Sequence, residues 1–155
     1  MTNKGMQTSH APGFARFLNA IIFRLLQIGL PMGPMILLTV RGRKSGQPRT
    51  TPVALIELNG RHYLFSTFGE VNWVYNLRAT HEAILARGRR KQAYSAVELS
   101  PESAAPVLKD ALVPLASSFF SRGMMRSWYN VTPTTPANDY LKVAQDHPVF
   151  ELREA

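Results

Sequence analysis

The chain contains no cysteine, and that absence removes several kinds of chemistry at once. Disulfide scaffolds, thiolate zinc sites, iron–sulfur clusters and cysteine nucleophiles all require this residue. The four histidines stand at positions 10, 62, 81 and 147 without metal-ligand spacing, and no HExxH, G-x-S-x-G or P-loop motif occurs. We therefore expect no metal site and no serine-hydrolase triad.

Acidic residues are scarce, since ten Asp and Glu stand against eighteen Lys and Arg and give a formal charge of +8. This balance favours an anionic partner: a phosphorylated cofactor, an acidic lipid surface or nucleic acid. The basic clusters lack the interleaved aromatic residues that base stacking requires, so we expect no nucleic acid. With 155 residues, 45% of them apolar, the chain predicts a single domain over residues 1–155, with a mobile polar tail at residues 1–12.

No apolar run is long enough to cross a bilayer, which takes about 20 residues. The most apolar segment, residues 14–28, ends before Pro31 and predicts an amphipathic helix over residues 13–29. Its polar members fall within roughly 140° of the helix surface; they are Arg16, Asn19, Arg24 and Gln27. A secretory signal is not indicated, because the tail has little positive charge and no small-residue cleavage site follows. We expect a cytoplasmic protein.

The wide apolar face of this helix has two interpretations. One is packing of a single side against the body of the domain. The other is peripheral contact with the inner face of the cell membrane, with Arg16 and Arg24 beside anionic headgroups. The two interpretations can coexist.

Period-two and turn patterns predict a small antiparallel barrel with helices packed outside it, a fold that is mainly β with flanking helices (α+β). Strands are predicted at residues 35–40, 50–58, 61–67, 82–86, 91–99 and 149–153, and helices at residues 70–79, 100–120 and 136–145. Asn59-Gly60 predicts a tight hairpin. Pro114 is a potential break in the second helix, and residues 129–138 predict a long surface loop.

The most informative segment is the basic turn at residues 41–49, RGRKSGQPR, between the first two strands. Its two glycines allow backbone N–H groups to approach an anion closely. Arginine and lysine side chains add charge, and Ser45 adds a hydroxyl. The turn predicts a phosphate site, with a solvated basic hairpin tip as the alternative.

Residues 39–49, followed by Thr51-Pro52 and by WVYNLRA at residues 73–79, resemble the deazaflavin-dependent nitroreductase family of actinobacteria. The similarity runs from about residue 35 to residue 99 and continues more weakly through HPVF at residues 147–150. The motif G-R-K-S-G-x-x-R-x-x-P paired with a later W-x-x-N-L-x-A is more specific than either motif alone.

This resemblance implies an antiparallel, FMN-binding-like split β-barrel that binds coenzyme F420, whose lactyl phosphate and polyglutamate tail are anionic. Lys44 and Arg49 take the positions that meet the phosphate and tail in the family. The other implied cofactor-binding residues lie beside these two, along the deazaflavin ring, or on the helix that closes the ring pocket. They are Arg43, Ser45 and Gly46, then Pro52, Ala54, Ser66 and Thr67, and finally Trp73, Asn76, Leu77 and Ala79.

The chemistry implied by the resemblance is hydride transfer from C5 of the reduced deazaflavin to a quinone, an enone, an unsaturated fatty acyl chain or a nitroaromatic ring. The protein then needs mainly to position the reactants and supply a proton. Tyr129 is the first candidate for the donor, ahead of Tyr75 and Tyr140. Thr67 stands where the family often has a serine that contacts substrate or cofactor. For Tyr129 the alternative is a half-buried aromatic residue with a satisfied hydroxyl.

Two departures from the family concern the acceptor. The loop at residues 68–72 is shorter than in many relatives, and the segments 14–28 and 119–125 are more apolar than a small polar substrate requires. These apolar residues predict a lipophilic acceptor, with core packing as the alternative. An FMN-dependent oxidoreductase and a non-catalytic cofactor- or lipid-binding protein remain the other hypotheses. Either a monomer or a homodimer fits the family.

Overall fold

We describe residues 13–29 and 35–155 of the chain in a computed structural model. The predicted tail at residues 1–12 and the predicted break at Pro31 lie outside the described residues. The strands are β1 Met35–Arg41, β2 Pro48–Leu58, β3 Arg61–Phe65, β4 Glu82–Arg87, β5 Arg90–Glu98 and β6 Val149–Glu154. The helices are α1 Gly13–Gln27, α2 Asn72–Thr80, α3 Pro101–Ser117, α4 Arg122–Tyr129 and α5 Tyr140–Asp146, with a 3-10 turn at Ala137–Asp139.

The six strands close into an antiparallel barrel in the order β1-β2-β3-β6-β5-β4, with β4 returning to β1. Closure removes free sheet edges, which a small antiparallel sheet would otherwise expose to unwanted pairing. In β2, Val53 points into the barrel, whereas Pro52 and Ala54 point outward, because successive side chains alternate between the two faces. The predicted antiparallel barrel fold is confirmed.

The barrel interior is filled by aliphatic side chains and is closed by α2. Val74 and Leu77 of this helix are fully buried among the strand residues, and Trp73 packs against Phe150 at 5.8 Å between ring centroids. Burial of this kind contributes about 1.5–3 kcal/mol for each large apolar side chain. Because the interior is packed, any ligand site of this barrel lies on its outer face or at its rim.

Two separate helical layers cover the outer face. Leu26 of α1 packs on Leu37 of β1 and Ala86 of β4. A larger cluster joins α3, α4 and α5 to the outward side chains of β2, β3 and β6, among them Ile56 and Phe65. The outward face of β2 therefore passes from one helical layer to the other near Pro52 and Ala54.

The structure corrects the predicted course of the chain in three places. Pro114 does not break α3, because its ring and that of Pro106 lie on the exposed side while Leu108 and Leu112 hold the other side in the core. The helix ends at Ser117 instead of Phe120.

The second correction concerns α4, which was not predicted. Met125 and Tyr129, four residues apart, are buried on one side of this short helix, but Gly123 weakens the sequence signal. Ser121 stands at the N-cap, yet its hydroxyl donates to the Leu115 carbonyl and does not cap the helix. Tyr129 thus ends a helix, and the loop predicted from residue 129 begins at Asn130. The third correction concerns β3, which ends at Phe65 rather than at Thr67.

No helix within residues 13–29 and 35–155 is long and apolar enough to span a membrane.

Candidate functional site

The basic turn between β1 and β2 presents unpaired backbone donors. Gly42 N–H donates to the Gln47 carbonyl at 2.8 Å, Gly46 N–H donates to the Gly42 carbonyl at 2.9 Å, and Gln47 N–H donates to Ser45 Oγ at 3.2 Å. The N–H groups of Lys44 and Ser45 have no hydrogen-bond partner within the described part of the chain. Gly46 has φ 69°, a conformation that strains most other residues. Exposed, unpaired amides of this kind can bind an anion.

The side chains of the turn add positive charge without internal compensation. Arg41, Lys44 and Arg49 are exposed, and none of them forms an ion pair within residues 13–29 and 35–155. An anion placed here would meet charged donors and free N–H groups together, and hydrogen bonds to charged groups are the stronger kind.

Arg43 has a different role, because its hydrogen bonds are made to α2. Its backbone N–H and its Nη1 both donate to Oδ1 of Asn76, at 3.1 and 2.8 Å, and its guanidinium lies 5.1 Å from the ring centre of Tyr75. Asn76 is buried, so its carbonyl oxygen has little access to water. These contacts fix the turn against α2 and hold the free amides of Lys44 and Ser45 in place.

Asn76→Ala is expected to lower the free energy of unfolding by about 1–3 kcal/mol, because two donors of Arg43 lose a buried acceptor. Urea denaturation measures this change, and Asn72→Ala, at an exposed position of the same helix, is the matched control. If both variants unfold at the wild-type urea concentration, the contact between Asn76 and the turn does not stabilise the fold.

A cleft of about 410 Å³ lies between α1 and the start of β2. The lining residues come from these two elements, and they are Ala20, Phe23, Arg24 and Gln27 together with Thr50, Thr51 and Pro52. The floor follows the basic turn directly in sequence, since Arg49 precedes Thr50. The basic turn and the cleft floor are therefore consecutive along the chain.

Thr67 and Tyr129 meet on the outer face beyond the end of β3. Their hydroxyl oxygens are 2.7 Å apart. Tyr129 belongs to the same outer cluster as Phe65, and Phe65 pairs with Ala54 of β2. This hydroxyl pair therefore lies on the outer side of the barrel, to which Ala54 and Pro52 also point. Burial raises the pKa of the Tyr129 phenol above its ordinary value of 10.0, although the hydrogen bond with Thr67 opposes that change. The phenol is therefore protonated at neutral pH and can donate.

His147 supports this pair from the core. Its Nδ1 lies 3.0 Å from the carbonyl oxygen of Ser66, and its ring packs on the Tyr129 ring at 4.5 Å between centroids. Burial lowers the pKa of His147 below its ordinary 6.5, against the opposing effect of the Ser66 carbonyl. The imidazole is thus neutral at pH 7, with Nδ1–H donating to Ser66. Ser66 itself is buried, with its hydroxyl bound to the Gly69 carbonyl.

The two other candidate donors have different surroundings. The Tyr75 hydroxyl donates to Glu70 Oε2 at 3.0 Å, and this carboxylate raises the pKa of Tyr75. Tyr140 is fully buried, and its hydroxyl has no hydrogen-bond partner among residues 13–29 and 35–155. Of the three tyrosines, only Tyr129 contacts another predicted site residue at its hydroxyl within the described part of the chain.

No cluster of three His, Asp or Glu side chains that could hold a metal ion occurs in residues 13–29 and 35–155.

A protein-family model for F420H(2)-dependent quinone reductases matches residues 23–126. The chain belongs to this family. It is therefore an F420H2-dependent oxidoreductase, and coenzyme F420 is its cofactor, as the resemblance implied.

Comparison with curated proteins found no match. Among solved structures, the chain is similar to a domain-swapped dimer (20% identity, TM-score 0.52, covering 90% of this chain and 98% of the other). It is also similar to the F420-H2 dependent reductase FDR-A (22% identity, TM-score 0.50, covering 77% and 94%). A third similar structure is Atu2129, of unknown function, from Agrobacterium tumefaciens (15% identity, TM-score 0.53, covering 86% and 54%). At these identities the likeness shows the fold alone.

The basic turn fits the F420 cofactor of this reductase family. Two free N–H groups and the unpaired charges of Lys44 and Arg49 suit a phosphate and a carboxylate tail. The structure places this turn directly before the cleft floor in the chain, because Arg49 is followed by Thr50, which lines the cleft. It does not bring every candidate there: Trp73 and Leu77 face the barrel core, and Ala79 is exposed on α2.

Sequence reasoning missed several residues of this candidate site. Phe23, Arg24 and Gln27 of α1 line the cleft, although the sequence pattern related α1 only to core packing, membrane contact and a lipophilic acceptor. No role was predicted for His147, which lacks metal-ligand spacing and begins the HPVF segment of the family resemblance. No local motif marks these residues, because their place in the site depends on how distant segments pack.

Proposed function

We propose that this reductase transfers a hydride from reduced F420 to a lipophilic, electron-poor acceptor, with a quinone as the first choice. Enones, unsaturated fatty acyl chains and nitroaromatic rings share the required electron-poor character. The single observation that carries the proposal is the contact between the hydroxyls of Thr67 and Tyr129, on the barrel face shared with Pro52 and Ala54.

In the proposed reaction, reduced F420 supplies the hydride when it is bound. A carbonyl acceptor that gains a hydride also needs one proton at oxygen, and the Tyr129 phenol donates it. The Thr67 hydroxyl holds the phenol in position, and solvent returns the proton to Tyr129 after turnover. Lys44, Arg49 and the N–H groups of Lys44 and Ser45 hold the anionic end of the cofactor.

Exposed apolar side chains beside Tyr129 support a lipophilic acceptor. Trp128 and Met124 lie four residues apart on α4 and are both partly exposed. The Trp128 ring packs on Phe68, which follows Thr67, at 5.5 Å between centroids. An acceptor tail that covers these side chains gains about 0.8 kcal/mol for each methylene it buries.

The proposal predicts that KM falls by about tenfold when a short-chain quinone is replaced by an analogue that buries two more methylenes. The measurement is the loss of F420H2 absorbance with a series of quinones of increasing tail length. Trp128→Ser should raise KM for the longer quinones, whereas Leu141→Ser, at an exposed position of α5, should leave it unchanged.

A protein that binds F420 but oxidises F420H2 with none of these acceptors would be the non-catalytic binding protein instead. Equal KM values across the series would contradict the lipophilic nature of the acceptor but not hydride transfer from F420H2.

Peripheral membrane contact through residues 14–28 is also part of the proposal, because a long-tailed acceptor resides in a bilayer.

A further inference from the structure

Helix α1 is apolar on two opposite faces. Leu26 is fully buried against the barrel. On the other side Phe17, Ile21 and Ile28 are 65%, 42% and 73% exposed. At about 100° per residue these three fall within about 40° of each other, and Leu26 lies about 180° from Phe17. The N–H of Ile28 donates to the Arg24 carbonyl at 3.3 Å, so the helical geometry extends to it. We call these three residues the α1 stripe.

The hairpin tip between β4 and β5 is fixed against the end of this helix. Gly88 N–H donates to the Leu26 carbonyl at 3.1 Å. A Cβ added at Gly88 would lie 3.1 Å from the Cα of Gly29, so a side chain here would require the two backbones to move apart slightly. The tip therefore keeps a fixed place beside the C-terminal end of the α1 stripe.

This hairpin tip is strongly basic. Its exposed charged residues, called here the basic tip, are Arg87, Arg89, Arg90 and Lys91. None of the four forms an ion pair within the described residues, and Arg87 donates to the Met35 carbonyl at 3.4 Å. No Asp or Glu occurs in residues 1–56 or in residues 83–97. Helix α1, strand β1 and the hairpin tip between β4 and β5 thus contribute no acidic side chain that could compensate the charge of the basic tip.

We propose that the α1 stripe and the basic tip form one docking surface for a bilayer that contains anionic lipids. This inference rests on the proposed function, because docking would bring the cleft beside α1 to the membrane in which a lipophilic acceptor dissolves. The apolar stripe enters the headgroup region, and the basic tip binds phosphate groups at its edge. The fixed contact of Gly88 with α1 makes the two parts act together.

Charge complementarity favours a bilayer over a second copy of this chain. A symmetric pair built on the α1 stripe would place two basic tips near each other, and like charges repel. Anionic headgroups supply the negative charge that these segments lack. An apolar contact about the size of one acyl chain gives only weak membrane binding. The electrostatic attraction between the basic tip and anionic headgroups is therefore needed as well.

Sedimentation of the full chain with phosphatidylcholine vesicles, with and without phosphatidylglycerol, tests the proposal. We expect strong binding only to the vesicles with phosphatidylglycerol, decreasing as salt is added. Changing Arg89, Arg90 and Lys91 together to Gln should lower the partition coefficient by on the order of 100-fold, since each charge near the surface contributes a factor of about five. The matched control changes Lys109, Lys142 and Arg153 to Gln and should leave partition at the wild-type value.

Phe17→Ser with Ile21→Ser and Ile28→Ser should lower partition by at least about tenfold. The proposal is overturned by equal binding to both vesicle types, by equal partition of the wild type and the basic-tip variant, or by equal partition of the wild type and the stripe variant. If the stripe variant changes the sedimentation coefficient of the protein without vesicles and leaves partition unaltered, a second copy covers the stripe and the proposal is wrong. Titration of each variant with F420 distinguishes a failure of membrane docking from a failure of the proposed function. None of the changed residues lines the cleft or belongs to the basic turn, so these changes should not affect F420 binding.

Discussion

Replacement of Lys44 and Arg49 together by alanine is expected to weaken F420 binding by about 100-fold. Each charged hydrogen bond to the phosphate or tail contributes about 1.5 kcal/mol or more, and two lost bonds give about 3 kcal/mol. Fluorescence titration with F420 at fixed ionic strength measures the change. The wild-type affinity should also fall as salt is added, since these side chains are exposed and their charges are screened.

The fold should not change in this variant. Lys44 and Arg49 have no ion-pair partner in the described part of the chain, and exposed substitutions of this kind alter stability by about 0.5 kcal/mol or less. Lys109→Ala with Lys142→Ala removes the same charge from α3 and α5 and should leave F420 affinity unchanged. An equal loss of affinity in both double variants would mean that net charge, and not the basic turn, holds the cofactor.

Tyr129→Phe is expected to lower the turnover number by about 100-fold, the lower end of what a positioned proton donor contributes. F420 affinity should stay at its wild-type value, because the phenol contacts Thr67 and not the basic turn. Since burial raises the pKa of Tyr129, the donor stays protonated through neutral and mildly alkaline pH. Wild-type turnover should therefore be level from pH 7 to about 9 and fall only when the phenol ionises at higher pH.

Tyr94→Phe is the matched control, because this partly buried tyrosine belongs to the barrel core and not to the Thr67 pair. Thr67→Val, which keeps the shape but removes the hydroxyl, should lower turnover less than Tyr129→Phe does. Undiminished turnover of the Tyr129 variant would leave Tyr129 as a packed aromatic residue with a satisfied hydroxyl, and another group would have to supply the proton.

The barrel could be predicted because its strands and turns are encoded locally. Asn59 and Gly60, both with positive φ, join β2 to β3 as the dipeptide predicts, and Pro101 follows the Ser100 cap at the start of α3. Helix α4 could not be predicted, because its eight residues include a glycine and its stability comes from burial of Met125 and Tyr129 in a distant cluster.

The site was predicted in part, for the same physical reason. The basic turn is continuous in sequence, so its residue types alone indicated an anion site. The resemblance named Arg43 and Asn76 separately, and the structure joins them by two hydrogen bonds that anchor the turn. The cleft residues of α1 and the packing of His147 on Tyr129 depend on tertiary contacts between segments far apart in sequence. No local pattern encodes such contacts.

The central claim is that the basic turn and the adjacent cleft make this chain an F420-dependent enzyme rather than a flavin enzyme. The most direct measurement is a fluorescence titration of the purified protein with F420, run beside FMN at the same ionic strength. We expect F420 to bind and FMN to bind far more weakly, because the tail of F420 carries additional negative charge that Lys44 and Arg49 can bind. Equal or tighter binding of FMN, or binding of neither cofactor, would contradict it.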